Sequence, residues 1–180
     1  MYKYHLITVF LGTIGFFLGS CMQQYGLPLT ERDIASININ EKAGKQIASK
    51  YGMSVIGKGG GADKEGINLK ILSFNTIAAL NLEQARKLII DCIEEFLTII
   101  NTDEEIRPYL KNFPFTIKNV KITIFFETSD GLSIYDPLIS VTYNVGDTLH
   151  YATFENEESV RYKTEITETY EEGLAKLKRN

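Results

Sequence analysis

The chain has few of the residues from which metal centres and nucleic-acid interfaces are built. Its 180 residues include only two cysteines and two histidines. A zinc site usually draws several ligands from Cys and His, so this set is a poor one. The 19 basic residues are outnumbered by 23 acidic residues, and they form no run along the chain. Because phosphate neutralisation needs clustered Lys and Arg, we predict no metal site and no nucleic-acid partner.

The first 20 residues have the three-part pattern of an export signal. Lys3 lies in a short polar segment, an apolar run covers residues 6–18, and small residues follow. A membrane-spanning helix is the alternative. The uncharged residues 6–22 are somewhat fewer than the roughly 20 that a span needs, and they include three glycines. The pattern therefore favours an export signal.

Leu18, Gly19, Ser20 and Cys21 resemble the lipobox of bacterial lipoprotein precursors, in which an aliphatic residue and two small residues lead to a cysteine. The resemblance implies that residues 1–20 are a signal peptide, cleaved just before Cys21. It also implies lipid attachment at Cys21, whose thiol takes a diacylglyceryl group and whose new amine is often acylated. Two or three acyl chains make a stable membrane anchor.

The residue after the lipobox bears on the membrane that would hold the anchor. In Gram-negative lipoproteins an aspartate directly after the lipidated cysteine favours retention in the inner membrane. Met22 stands there in this chain, so the resemblance implies outer-membrane sorting, on the periplasmic side, if the source is Gram-negative. In a Gram-positive cell the domain would face outward from the plasma membrane. With Cys21 lipidated, Cys92 has no intrachain disulfide partner.

The chain after the signal is long enough for one domain with a core. Residues 21–37 show no sustained period and contain a glycine and a proline, so we expect the lipidated cysteine and a flexible tether there. The domain is expected over residues 38–180. Its first helix is predicted to begin at Asn38, with Glu41 as capping-box partner, and to end at Gly52.

The remaining elements follow from apolar periodicity and capping signals. Asn81 and Gln84 predict a long amphipathic helix, Thr102 and Glu105 a short one, and Thr169 a last one. Ile67, Leu69 and Ile71 alternate with Asn68 and Lys70, which is strand periodicity. Further strands are predicted at these places: 53–57, 119–127, 138–145, 149–155 and 159–166.

This order, α-β-β-α-α-β-β-β-(β)-α, has clustered strands and no regular βαβ alternation. It predicts an α+β fold with an antiparallel sheet of about five to six strands and helices packed on one face. The stretches EEIRPYLKNFPFT and NVKITIFFETSDG resemble uncharacterised exported proteins of host-associated bacteria. That resemblance implies no activity.

The glycine-rich residues 57–62, GKGGGA, fit the dinucleotide motif G-x-G-x-x-A. That motif works when its last positions open a helix whose N-terminus holds the pyrophosphate. Here DKEG and a strand follow, so we predict no cofactor. The glycines between Gly57 and Gly61 are instead expected to permit positive φ in a loose hairpin, or to let a neighbour pack closely.

His150 would be the only histidine left after signal cleavage, and a Ser-His-Asp arrangement would have to use it. Ser140 with Asp136 or Asp147 could complete such a set, but no G-x-S-x-G elbow presents the serine. We expect His150 to face solvent from a strand. Cys92 lies in the apolar arc of its helix and is expected to fill the core.

Carboxylates and tyrosines are the other candidate site residues. Paired carboxylates could support glycosidase chemistry, although helix dipoles and solvated loops also explain them. They form two clusters: Asp103, Glu104 and Glu105, and Glu155, Glu157 and Glu158. Outward tyrosines suit contact with a protein or glycan, and cross-strand packing is the alternative. The tyrosines concerned are Tyr135, Tyr143, Tyr151 and Tyr162.

These patterns favour a membrane-anchored lipoprotein of the cell envelope whose small α+β domain binds or scaffolds, with an envelope protein or glycan as the expected partner. One alternative is an envelope hydrolase that uses carboxylates or His150. The other is a secreted effector with an ordinary cleaved signal.

Overall fold

The computed structural model describes residues 28–156, 158 and 161–179, and shows an α+β fold with three helices and one six-stranded sheet. The elements are α1 (Glu31–Tyr51), β1 (Ser54–Asp63), β2 (Gly66–Ile77), α2 (Leu82–Thr102), β3 (Val120–Glu127), β4 (Val141–Val145), β5 (Thr148–Thr153), β6 (Thr164–Thr169) and α3 (Tyr170–Leu177). The predicted fold class is confirmed. Among the described residues, no helix is long and apolar enough to cross a bilayer.

The strands lie in the sheet in their order along the chain, from β1 to β6. Every neighbouring pair is antiparallel except β2 and β3, which run parallel with Lys70 opposite Val120. The sheet is therefore mixed, and the prediction of an antiparallel sheet is wrong at this pair. Parallel strands cannot be joined by a tight turn, and α2 lies in the connection between them. That the helices share one face of the sheet stays a prediction.

The core forms between α2 and the inward residues of the sheet. Asn81 and Gln84 make the predicted capping box at the start of α2, and the apolar arc of the helix is buried. The predicted alternation of β3 is confirmed, since its first, third, fifth and seventh residues are buried. Those residues are Val120, Ile122, Ile124 and Phe126. Cys92 is fully buried among these side chains, which confirms its expected place.

The first helix begins earlier than predicted. Its N-cap is Thr30, whose hydroxyl accepts a hydrogen bond from the Asp33 N–H while the Asp33 carboxylate accepts from the Thr30 N–H. The predicted start at Asn38 is wrong, because this Thr-x-x-Asp box lies eight residues upstream of it. The second part of the expected tether, residues 31–37, is thus helical, and residues 21–27 lie outside the described part of the chain.

The short helix predicted from Thr102 and Glu105 is also wrong. Thr102 is the last residue of α2, and Asp103 instead accepts hydrogen bonds from the next N–H groups at Glu105 and Ile106. Only a three-residue 3₁₀ helix, Arg107–Tyr109, follows. Pro108 lacks an N–H and disfavours helical geometry at the residue before it, which explains the short element.

A buried ionic cluster ties α2, β5, β6 and α3 together. Glu168 receives hydrogen bonds from Arg86 Nε at 2.6 Å, from the Tyr151 hydroxyl at 2.8 Å and from Lys176 Nζ at 2.6 Å. Arg86 and Glu168 are each only 6% exposed. We call Arg86, Tyr151, Glu168 and Lys176 the ionic cluster. Each of its cations has Glu168 as an ion-pair partner, and the two share that carboxylate.

Candidate functional site: a cleft between the first helix and the glycine strand

The glycine-rich run lies within a strand and not in a loose hairpin loop. β1 continues through it to Asp63, and none of the glycines from Gly57 to Gly61 has a positive φ. The expectation of positive φ is wrong, while the expectation of close packing is confirmed. A Cβ on Gly60 would lie 2.5 Å from the carbonyl oxygen of Leu69 on β2. A strand and not a helix follows the run, as the sequence predicts.

A cleft of about 420 Å³ opens between α1 and β1, and we call it the α1–β1 cleft. Three consecutive glycines of β1, Gly59 to Gly61, line the cleft and place no side chains in it. Pockets that hold small ligands in proteins are commonly about 300–1,000 Å³ in volume. The side chains that matter chemically come from α1 and β2: Ser36, Asn40 and Lys70.

Lys70 lies at the base of the cleft and is only 1% exposed. Its ammonium donates to the carbonyl oxygen of Ser36 at 2.8 Å and to the Ser36 hydroxyl at 2.7 Å. No carboxylate in the described part of the chain lies within ion-pair distance of this nitrogen. Because burial disfavours the charged form, the pKa of Lys70 is lowered to about 8. The cleft therefore contains a buried cation without a counterion.

Asn40, another residue that lines the cleft, supplies a buried acceptor. Its Nδ2 donates to the carbonyl oxygen of Gly59 at 2.9 Å, which links α1 to the glycine strand. Its Oδ1 is buried and has no hydrogen-bond partner, and it is the one such side-chain atom in the described residues. Leaving a buried acceptor unpaired costs about 1–3 kcal/mol. The cleft thus holds a donor and an acceptor that the protein itself does not fully satisfy.

The charged groups at the rim are Lys58, Glu41 and Asp33. Lys58 binds the Glu41 carboxylate across the mouth of the cleft, and this contact lowers the pKa of Glu41. The hydrogen bond from the Thr30 hydroxyl lowers the pKa of Asp33. Both carboxylates are accordingly ionised at neutral pH. Lys70 and Asp33 are thus the charged residues of the cleft for which the described contacts include no ion pair.

The sequence pattern placed Lys70 on the wrong face of β2. The alternation of Ile67, Leu69 and Ile71 predicts that these residues face the core, but Leu69 and Ile71 are only half-buried. From Lys70 onward the even-numbered residues are the buried ones. Leu72 and Phe74 carried the signal that would have found this, because their alternation extends back to Lys70.

His150 lies on a different part of the sheet, on the face of β5 opposite the buried Leu149 and Tyr151, as expected, and neighbouring side chains leave it half-buried there. Its ring stacks on that of Tyr143 with centroids 4.6 Å apart. Its Nδ1 lies 2.9 Å from a Glu165 carboxylate oxygen that also accepts from the Tyr143 hydroxyl at 2.7 Å. The side chain of Glu165 is 38% exposed. This is a cross-strand packing group.

The residues considered for a triad with His150 have other partners. The Ser140 hydroxyl is buried, donates to the carbonyl oxygen of Ile134 and accepts from the Phe154 N–H at 2.9 Å. Asp136 forms an ion pair with Lys163, and Asp147 forms one with Lys118. The described contacts therefore do not assemble a Ser-His-Asp set.

The other candidate residues are engaged in the fold, are exposed at the surface or lie outside the described part. Asp103 pairs with Lys42, and Tyr151 belongs to the ionic cluster. Tyr162 is 41% exposed and packs against Phe154. Within the described residues, no group of three or more His, Cys, Asp or Glu could hold a metal ion. Several residues lie outside that part: Leu18, Gly19, Ser20, Cys21 and Glu157.

The α1–β1 cleft is the place in the described chain where a buried ammonium without an ion pair and a residue with an unpaired buried acceptor line the same space. Its two buried groups, Lys70 and Asn40, come from elements that the sequence separates by some thirty residues. No protein-family model, no curated protein and no solved structure matches this chain. Its function is therefore inferred from its own residues and geometry.

Proposed function

We propose that this chain is a lipid-anchored protein of the bacterial cell envelope whose α+β domain acts as a binding module. The lipobox residues Leu18 to Cys21 support the anchor. The observation that carries the binding role is the α1–β1 cleft. It combines ligand-sized space with a buried ammonium that lacks a counterion. A buried charge left without a partner lowers stability, so its presence in an open cleft favours a role in binding.

Replacement of Cys21 by serine tests the anchor. In the native bacterium, the wild-type protein is expected in the membrane fraction, released only by detergent, with the mass of acyl chains on residue 21. The Cys21→Ser protein cannot form the thioether. We expect it to lose the acyl mass and to leave the membrane fraction without detergent, because no second lipid signal remains.

The matched control is Cys92→Ala, which removes the buried cysteine and leaves the lipobox intact. It should fractionate as the wild type does. A Cys21→Ser protein that stays with membranes at unchanged mass and detergent dependence would contradict the anchor. A wild-type protein cleaved at its signal but without acyl mass would support the secreted effector instead.

The hydrolase alternative makes a separate prediction. An enzyme that uses His150 should lose activity on ester or glycoside substrates when the residue becomes alanine. Because His150 contacts Tyr143 and Glu165 and not Ser140, we expect the purified protein to show no such activity that depends on this residue. Activity profiling of the wild type and His150→Ala side by side is the measurement. A loss of at least tenfold in the variant would favour the hydrolase.

A further inference from the structure

Two buried cations in this domain have opposite environments. Arg86 donates to both carboxylate oxygens of Glu168, so its charge is compensated inside the protein. Lys70 is equally inaccessible but donates only to the neutral oxygens of Ser36. Two of its three N–H donors are used in this way, which leaves one donor and the whole positive charge. A bound anion would complete the site.

The second unsatisfied group narrows the ligand. Asn40 lines the same cleft and its buried Oδ1 lacks a donor, so a ligand that pairs with this oxygen must present an N–H or O–H as well as a negative charge. The carboxylates at the rim also limit how much negative charge the ligand can carry. Asp33 and Glu41 are ionised there and would repel a dianion such as phosphate more than a monoanion. A single carboxylate with a neighbouring donor meets both requirements.

We propose that the α1–β1 cleft binds a carboxylate ligand with an adjacent amide N–H, the carboxylate on Lys70 and the N–H on Asn40 Oδ1. This pair of groups occurs at the C-terminal residue of a peptide and in N-acylated amino acids. Glycines 59–61 leave room beside the two side chains for the rest of such a ligand. The inference rests on the proposed binding function and names its ligand class.

The first experiment compares small probes on the wild-type full-length chain in detergent at pH 7. Saturation-transfer NMR with N-acetylglycine should give saturable binding, with a Kd on the order of 1 mM for so small a ligand. The methyl ester lacks the charge, and N-acetylsarcosine lacks the N–H. Each should bind at least about tenfold more weakly, because it leaves one buried group unpaired.

Three variants assign the contacts to residues. Lys70→Met should abolish binding of N-acetylglycine and raise the Tm by about 5 °C, because it removes an uncompensated buried charge. Asn40→Ala should remove the preference for N-acetylglycine over N-acetylsarcosine. Lys87→Met changes an exposed lysine that is paired with Asp91 on α2, outside the cleft, and it should leave the Kd within about twofold.

The pH dependence follows from the lysine. The pKa of Lys70 is about 8, so affinity for N-acetylglycine should fall by about tenfold between pH 7 and pH 9 as the ammonium deprotonates. The other charged groups at the cleft are Asp33 and Glu41 on α1 and Lys58 on β1. The two carboxylates stay ionised over this range. Lys70→Met should show no binding of N-acetylglycine at any pH in this range.

Several results would overturn the proposal. The absence of saturable binding to the wild type would do so, as would equal binding of the acid and its methyl ester. If Lys70 only holds β2 against α1, Lys70→Met should lower the Tm and the wild-type protein should not bind N-acetylglycine. That pair of results would also overturn the proposal. If that variant fails to fold, the three-probe comparison on the wild type still decides. Inorganic phosphate binding in place of N-acetylglycine would refute this ligand class but leave the binding role standing.

The length of the probe distinguishes a peptide C-terminus from a small N-acylated amino acid as the source of the carboxylate. N-acetyl-Ala-Ala-Gly that binds at least tenfold tighter than N-acetylglycine would identify a peptide C-terminus, and equal affinities would identify a small N-acylated amino acid. Membrane release by Cys21→Ser is measured independently. Failure of the anchor and failure of the ligand assignment are therefore separate results.

Discussion

Replacement of Glu168 by glutamine is expected to lower the free energy of unfolding by about 3–5 kcal/mol. Both carboxylate oxygens accept hydrogen bonds, one from Arg86 Nε and the Tyr151 hydroxyl, the other from Arg86 Nη2 and Lys176 Nζ. A glutamine would direct its NH₂ group at donors and leave Arg86 buried without a full counter charge. Urea unfolding of the purified chain at pH 7 measures the loss.

The matched control is Glu165→Gln, three residues earlier on β6. That carboxylate also receives two hydrogen bonds, but its side chain is 38% exposed, and exposed pairs contribute at most about 1 kcal/mol. Equal losses in the two variants would contradict the burial of the ionic cluster. So would a Glu168→Gln protein as stable as the wild type.

The same cluster predicts how stability depends on pH. Burial by itself would raise the pKa of Glu168, but hydrogen bonds from Arg86, Lys176 and Tyr151 outweigh it and hold the pKa below its ordinary value of 4.5. A carboxyl group whose pKa is lower in the folded state stabilises the protein above its unfolded pKa. The advantage of the wild type over Glu168→Gln should therefore be full near neutral pH and shrink as the pH falls below about 4.5.

Replacement of Gly60 by alanine is also expected to have a large effect, lowering the free energy of unfolding by about 1–3 kcal/mol. The added Cβ would lie 2.5 Å from the carbonyl oxygen of Leu69, and this contact is with backbone, so one strand must move. Thermal and urea unfolding of the variant measure the loss. The Cα register of β1 opposite β2 makes Gly60 face Lys70, so the movement also disturbs the α1–β1 cleft.

Gly59→Ala is the control one residue away. The nearest atom to its added Cβ is Ile71 Cβ at 3.9 Å, an ordinary contact, and its φ is not positive. We expect a change within about 0.5 kcal/mol, or a small gain, because alanine reduces the freedom of the unfolded chain. Equal effects at both positions would contradict the close approach of β1 and β2 at Gly60.

Features that depend on neighbouring residues could be predicted from the sequence. Asn81 with Gln84 and Thr169 with Glu172 mark helix starts that the structure confirms, since each capping box spans only four residues. The apolar alternation of β3 identified its buried face for the same reason. At α1 the box that forms is that of Thr30 and Asp33, and the pair Asn38 and Glu41, which has the same spacing and predicts the start, lies inside the helix.

Features that depend on distant residues could not be predicted. Arg86 and Glu168 are 82 residues apart in sequence, and nothing local to either residue identifies the other as its partner. The α1–β1 cleft was missed for two linked reasons. The sequence pattern predicts a tether for part of the helical wall of the cleft, and it predicts that Lys70 lies on the outer face of its strand. A lysine between apolar residues is ordinarily solvent-exposed, so its burial follows only from the packing of α1.

The parallel pairing of β2 with β3 also bears on the order in which the domain folds. The β1–β2 hairpin and the run of strands from β3 to β6 can each assemble from segments that are close in sequence. The ladder of β2 and β3, which begins at Lys70 and Val120, forms only when the loop of residues 78–119 is closed. Closing this long loop costs more conformational entropy than closing the short turns. We expect two locally formed halves to meet late along this ladder, with α2 bridging them.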